Sequence, residues 1–325
     1  MWPWLMSGLG LLILLLAGDA LVKGAVNLSL RVGIPALIVS LTIVAFGTSA
    51  PELLISVNAV LENKPGLALG NVIGSNTANV LLVLGLPALL ATLHTSGCDT
   101  RKTYLSMIGA TVIFIGLAFR GIFDMLAGAV LLACLGLVLA DAFREARNHR
   151  RSCKASAAAD RDAGDDAEED VEGADPDMPW WQIFVFLALG LVGLPLGADL
   201  LVDNASIIAR EFGVSDAVIG LTLVALGTSL PELATTVMAA LRRQADVALG
   251  NVIGSNMFNL LAIIGITSFI GKIPVDAEFL QFDLWVMLAA SLLLIPFVFL
   301  GRDINRLWGI ALTVLYAVYV VVVLS

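Results

Sequence analysis

The chain has 325 residues, 59% hydrophobic and only 14% charged, with a mean hydropathy of +0.95 and a formal net charge of −9 at pH 7. The apolar share exceeds the roughly 45–50% of an ordinary soluble domain, which excludes that class. Apolar runs of about 20 residues, enough to cross a hydrocarbon core as helix, recur along the whole length, and the period-two alternation of a membrane barrel is absent.

Helices are therefore the spanning elements, because an open sheet cannot satisfy its backbone in lipid. The first is predicted over residues 4 to 22. Its apolar stretch from 11 to 16 could pass for a secretory leader, but residues 1 to 9 carry no Lys or Arg, so it reads as a retained helix. Further helices are expected near 36 to 61, 66 to 93, 103 to 119 and 125 to 142, completing a first unit over 1–143. Residues 144–179 form the one long polar segment, opening with Arg144, Arg147, Arg150, Arg151 and Lys154 and then carrying ten Asp or Glu between 160 and 177. It reads as a solvated, disordered linker. It fails the calcium-loop template, since counting from Asp160 puts Asp165 where Gly is needed and Val171 where the closing Glu belongs. It is also too short for a folded domain, which usually needs at least about 50 residues. Helices near 180 to 203, 213 to 241, 247 to 271, 280 to 300 and 307 to 324 make a second unit, 180–325. The predicted fold is thus all-α and integral to the membrane, with ten transmembrane helices.

The two units are related by an offset of 180 residues. "DALVKGA" at 19–25, within "GDALVKGAV", aligns with "DLLVDNA" at 199–205, within "GADLLVDNA", and 41–82 aligns without a gap with 221–262, where roughly 24 of 42 positions are identical. Five crossings per unit is an odd number, so the second unit enters the membrane from the opposite face, as an inverted repeat. With both termini outside, the inner loops hold 14 Lys or Arg against 4 outside (Lys64, Arg120, Arg210 and Lys272), which makes the linker cytoplasmic and the protein a multi-pass cell (inner) membrane protein. Trp2, Trp4, Trp180, Trp181 and Trp308 fall at predicted helix ends, as interfacial anchors do.

The best matched positions are polar. "GTSAPE" at 47–52 recurs as "GTSLPE" at 227–232, placing Glu52 and Glu232 near the middle of apolar runs. A carboxylate at that depth costs at least about 2.5 kcal/mol unless it meets a partner or a water-filled path, and no Lys or Arg lies in the predicted cores. Protons or bound cations remain. Pro51 and Pro231 each remove a backbone donor and free carbonyls around Ala45 to Gly47 and Ala225 to Gly227. Thr48, Ser49, Thr228 and Ser229 add hydroxyls one turn away. "GNVIGSN" occurs at 70–76 and at 250–256, followed by Asn79 and Asn259. Its glycines permit close helix approach, and Ser75 with Asn79, like Ser255 with Asn259, shares a helical face. Two carboxylates plus neutral oxygens, without His or Cys, suit calcium or sodium rather than zinc or copper.

These paired motifs resemble the alpha-repeats of the calcium/cation antiporter family, specifically its sodium/calcium exchanger branch, and the likeness runs over essentially the whole chain. The resemblance implies that Glu52 and Glu232, with Thr48 and Thr228, ligate calcium. It further implies that Ser49, Ser75, Asn79, Ser229, Ser255, Asn259 and the carbonyls of Ala45 and Ala225 serve sodium. Family members often carry Asp at one of the positions matching Asn79 and Asn259; Asn at both argues against potassium co-transport. The implied function is secondary antiport of calcium against sodium by alternating access, with the two first helices as the moving pair. Asp19 and Asp199, near the predicted ends of those helices, read as capping or interfacial groups.

A proton-coupled calcium antiporter would use the same carboxylates, and a cation channel would also carry membrane oxygens, though channels usually build a pore from symmetry-related subunits. No nucleophile-base pair or cofactor fingerprint points to an enzyme. Cys98, Cys134 and Cys153 follow no metal spacing and read as reduced thiols, and His94 and His149 as isolated loop residues. The expected partners are membrane lipid and the two transported ions, with no cofactor, no nucleic acid and no obligatory protein partner.

Overall fold

The computed structural model describes residues 2–95, 98, 100–159, 175, 177–213 and 225–324. It is built almost wholly of helices: α1 (Trp2–Val32), α2 (Ala36–Thr48), α3 (Ala50–Leu61), α4 (Pro65–Leu90), α5 (Arg101–Ala118), α6 (Met125–Ala159), α7 (Trp180–Glu211), α8 (Leu230–Leu241), α9 (Ala245–Ile270), α10 (Phe279–Phe299) and α11 (Arg306–Leu324). One further turn, Ala225–Gly227, precedes α8. Among the described residues seven helices are long and apolar enough to cross a membrane, or eight if α2 and α3 are one span bent by 42°. Of the helix expected over 213 to 241, residues 214–224 lie outside the described residues.

The bend between α2 and α3 has a local cause. Pro51 sits in the first turn of α3, where it supplies no N–H and its ring crowds the preceding turn. Ser49 takes up the break with φ −83° and ψ 4°, and Ser229, preceding Pro231 in the same way, adopts φ −87° and ψ 2°. One sequence motif thus imposes one backbone shape twice.

α1 and α7 pack on each other antiparallel. A Cβ at Gly10 would lie 2.6 Å from the Leu201 backbone, one at Gly190 would lie 2.4 Å from Leu21, and one at Gly24 would lie 2.9 Å from Leu187. Small residues let these backbones touch, which in lipid is what dispersion requires. With α2 the pair encloses its own apolar cluster, including Leu14, Leu21, Val44, Leu187 and Leu194. The remaining helices share a larger core in which α9 is completely enclosed along its apolar window and α4 is 78% enclosed, against 11% for α11. The two "GNVIGSN" copies therefore occupy the centre of the molecule.

Loops from the two halves meet crosswise. Ile122–Phe123 pairs antiparallel with Ile273–Pro274, and Leu93 bridges Ile304. Each contact joins a loop after the third span of one half to a loop after the fourth span of the other.

Three expectations need correction. α1 runs ten residues past its predicted end, because Val22, Ala25, Val26 and Leu28 continue the buried face. α6 continues to Ala159, so the first part of the supposed disordered linker is helix; Ala, Arg, Glu and Lys there are strong helix formers. His149 accordingly lies in a helix and not in a loop. At its other end the segment docks on α1, where the Asp175 amide donates to Asn27 Oδ1 at 2.7 Å and Met178 is buried. Residues 160–174 and 176, with most of the acidic run, lie outside the described residues. His94 sits in a loop as expected, 2.9 Å from Asp303.

Candidate ion-binding site

Glu52 and Glu232 lie near the middle of their apolar runs but at a helix break beside Pro51 and Pro231, as the prolines suggested. Each stands in the first turn of a half-helix just past the break, Glu52 on α3 and Glu232 on α8, with 1% and 0% of the residue exposed. A helix start carries unsatisfied N–H groups and a partial positive charge, so it favours a carboxylate. The break made by Pro and Ser thus supplies what the continuous helix would lack.

The hydroxyls of the first motif reach the carboxylate of the second. Ser49 Oγ donates to Glu232 Oε1 at 3.2 Å, and Ser255 Oγ donates to the same oxygen at 3.3 Å. Thr48 Oγ1 lies 3.2 Å from Asn251 Oδ1 and 3.4 Å from Ser255 Oγ. Residues from both halves therefore converge on one buried cluster, and Ser75, Thr228 and Ser229 are buried as well, at most 7% exposed.

The cluster is rich in acceptors. Both carboxylate oxygens of Glu52, Glu232 Oε2, Asn79 Oδ1, Ser229 Oγ and both polar atoms of Asn259 are shut off from solvent with no hydrogen-bond partner among the described residues. Leaving such groups unmatched costs about 1–3 kcal/mol each, more when charged. No ion pair involves either glutamate among the described residues, and no group of three or more His, Cys, Asp or Glu forms there. The chemistry is that of two carboxylates and neutral oxygens, able to hold hard cations.

Asn79 opens a π-helical turn, Asn79–Val83, and Asn259 lies in another, Phe258–Ile263. Such turns widen a helix locally and recur at functional sites; their positions were not predicted from the sequence. Asn79 Nδ2 donates to Asn256 Oδ1 at 3.1 Å, and Asn76 Nδ2 donates to the Asn256 carbonyl at 3.2 Å, so the two copies of the motif cross at these asparagines.

The carbonyl of Ala45 is not released by Pro51. It accepts the Ser49 amide at 3.0 Å and faces Thr48 Oγ1 at 3.3 Å, because Ser49 precedes the proline and keeps its own N–H. In the second half the Ser229 amide donates to the Leu226 carbonyl, at 3.1 Å.

Two residues of the site were missed. Asn71 Nδ2 donates to the Glu52 carbonyl at 3.3 Å and to Ser56 Oγ at 3.1 Å. Asn251 Nδ2 donates to the Glu232 carbonyl at 3.3 Å and to Thr236 Oγ1 at 3.2 Å. Each clamps the backbone at its glutamate. Their presence in both copies of "GNVIGSN" was the available signal. Asp19 is likewise no cap. It lies well inside α1 and pairs with Arg242 at the end of α8, while Lys23 of the same helix lies 4.8 Å over the Phe186 ring.

With this geometry in view, comparison with known proteins is decisive. The model of the "Sodium/calcium exchanger protein" family matches residues 2–149 and 182–325. The chain belongs to the sodium/calcium exchanger family. It is a multi-pass membrane cation antiporter and not an enzyme. The exchanger is 34% identical over 341 residues to "Sodium/calcium exchanger MaX1" of Methanosarcina acetivorans, with 97% of this chain and 96% of that protein covered. It is 34% identical over 284 residues to "Inner membrane protein YrbG" of Escherichia coli, covering 87% and 85%. Among solved structures, the sodium-calcium exchanger NCX_Mj soaked with 2.5 mM Na+ and 0.1 mM Ca2+ superposes with a TM-score of 0.81 at 29% identity, over 99% of this chain and 98% of that one.

Proposed function

We propose that the exchanger moves calcium against sodium, with Glu52 and Glu232 sharing the calcium ion. The observation that carries this reading is the pair of buried glutamates, one from each motif, with unmatched carboxylate oxygens and no basic partner among the described residues. Two such charges repel each other until cations neutralise them, and one divalent ion or several monovalent ions do so equally. Thr48 and Thr228 join the calcium site. Ser49, Ser75, Asn79, Ser229, Ser255 and Asn259, with the carbonyls of Ala45 and Ala225, serve sodium. For Ala45 this means giving up one of its two present donors. Asn at 79 and 259 fits exchange without potassium.

Transport proceeds by alternating access between two inverted five-helix units, 1–143 and 180–325, with α1 and α7 as the moving pair. The antiparallel contact of α1 with α7 supports inversion. So does the crosswise meeting of loops, since parallel repeats would bring like loops together. The Lys and Arg distribution favours both termini outside and 144–179 in the cytoplasm of a cell whose inner membrane holds the protein.

Binding of radioactive calcium to purified protein tests the site directly. Wild type should bind calcium and release it as sodium is raised, while Glu52→Gln and Glu232→Gln should bind at least about tenfold more weakly, the loss of one charge from a two-charge site. Calcium binding unaffected by either substitution would overturn the assignment.

A further inference from the structure

The two halves of the exchanger are related in sequence but not in packing. Against α8, α1 is closed: a Cβ at Gly18 would lie 3.0 Å from the Ala234 carbonyl carbon, and Ala234 is 6% exposed. The residues 180 positions away are Ala198 of α7 and Leu54 of α3. There Leu54 is 64% exposed, and a cavity of about 180 Å³ separates α7 from α3, lined by Pro51, Ile55, Ala198, Asp199, Val202 and Thr228. One side of the site is sealed and its counterpart stands open.

The charges differ in the same sense. On the sealed side Asp19 pairs with Arg242 at 2.5 Å, with the two side chains 31% and 21% exposed. The offset of 180 converts this pair into Asp199 and Glu62. Among the described residues no cation pairs with Asp199, and Glu62 pairs with Lys64 of its own loop at 3.0 Å. If α7 closed on α3 as α1 closes on α8, two carboxylates would meet where the sealed side has an ion pair, and like charges at such range repel.

We propose that Asp19 and Arg242 form a one-sided latch that holds the exchanger sealed on the Arg242 face, while Asp199 and Glu62 keep the opposite face open. This inference rests on alternating access, but not on which ions are carried. The latch must break once per cycle, when α1 leaves α8. Arg242 and Asp19 thus set the resting conformation without touching the ions.

The test uses single cysteines in a background in which Cys98, Cys134 and Cys153 are replaced by serine. Val202→Cys reports the open cavity. Val22→Cys, its counterpart on α1 and 0% exposed, reports the sealed side. Rates of reaction with a water-soluble maleimide are measured on the purified full-length protein. Asp19→Asn should raise the rate at 22 about two- to fivefold, the bias that a partly exposed ion pair supplies, and lower it at 202. The Asp19→Arg, Arg242→Asp exchange should restore both. Glu62→Arg builds a second latch and should lower the rate at 202 by a similar factor while raising that at 22, a pair of opposite shifts that loss of folding, which would raise both, cannot imitate. Rates that ignore all these changes, or that rise together at both positions with Asp19→Asn, would overturn the latch. Because labelling needs no transport, that outcome is separable from a failure of sodium-driven calcium uptake, which would overturn the choice of ions alone.

Discussion

Asn251 makes three side-chain contacts at the site, and its removal should weaken calcium binding more than removal of its repeat mate Asn71. Asn251 is 0% exposed, clamps the Glu232 carbonyl and Thr236, and faces the Thr48 hydroxyl of the other half. Asn251→Ala strips one carbonyl and two hydroxyls of a partner. The Thr236 hydroxyl can turn to its own helix and the Thr48 hydroxyl keeps the Ala45 carbonyl and Ser255, so about one group stays unmatched, at about 1–3 kcal/mol. That cost is divided between stability and the positioning of Glu232. Groups that orient ion ligands typically account for about 10–100-fold in affinity, and Asn251→Ala should raise the calcium KM by that range. Asn71 is only half-buried, so water can replace its amide, and Asn71→Ala should raise KM less than about tenfold. The assay is initial calcium uptake into sodium-loaded proteoliposomes at graded calcium, with protein amount set by size-exclusion recovery. An unchanged KM in Asn251→Ala, or a larger effect from Asn71→Ala, would refute the clamp.

Other outcomes follow from single contacts. Glu52→Gln and Glu232→Gln should each abolish sodium-dependent calcium uptake while eluting as wild type on size exclusion; uptake above about a tenth of wild type in either would count against a shared ion. Gly254→Ala should lower the thermal midpoint by several degrees, because the new Cβ would lie 2.5 Å from the Leu41 carbonyl oxygen and 2.6 Å from Ala45 Cβ, an overpacking that costs about 1–3 kcal/mol; an unshifted midpoint would mean α9 can move. Asp124 accepts the Ala127 amide at 3.0 Å and faces Arg120, and these hold its carboxyl below the usual range. A lowered folded pKa means stabilisation that is present above the unfolded value near 3.9 and lost as pH falls through the folded one. Asp124→Ala should therefore lower the thermal midpoint at neutral pH and not at the most acidic pH the protein tolerates, as differential scanning fluorimetry would show.

Much of the buried polar cluster was legible because duplication marks its residues position by position. Glu52, Glu232, Thr48, Ser49 and Ser255 could be named because they recur at a fixed offset inside apolar runs where packing alone would not select them. Asn71 and Asn251 recur just as faithfully, yet were passed over because a polar residue beside glycine in a membrane helix also serves as packing glue. The π turns at Asn79 and Phe258 were hidden, since hydrophobic periodicity does not distinguish four-residue from five-residue hydrogen bonding. Ala45 shows the same limit, because a proline reveals which donor is missing but not which neighbour takes up the acceptor. The end of α1 was misjudged because Asp19, Lys23 and Arg31 lower the mean hydropathy. Only the fold shows that Arg242 pairs with the first, and that the Phe186 and Trp180 rings cover the other two. Likewise the polar 144–159 stretch read as linker from charge, whereas helix propensity extends α6 through it.

Calcium uptake driven by a sodium gradient tests exchange most directly. Proteoliposomes loaded with sodium and diluted into sodium-free buffer containing radioactive calcium should accumulate calcium, and should stop when the sodium gradient is collapsed by an ionophore. Uptake that ignores sodium and instead follows an imposed pH gradient would contradict sodium/calcium exchange and make the same two glutamates the carriers of protons.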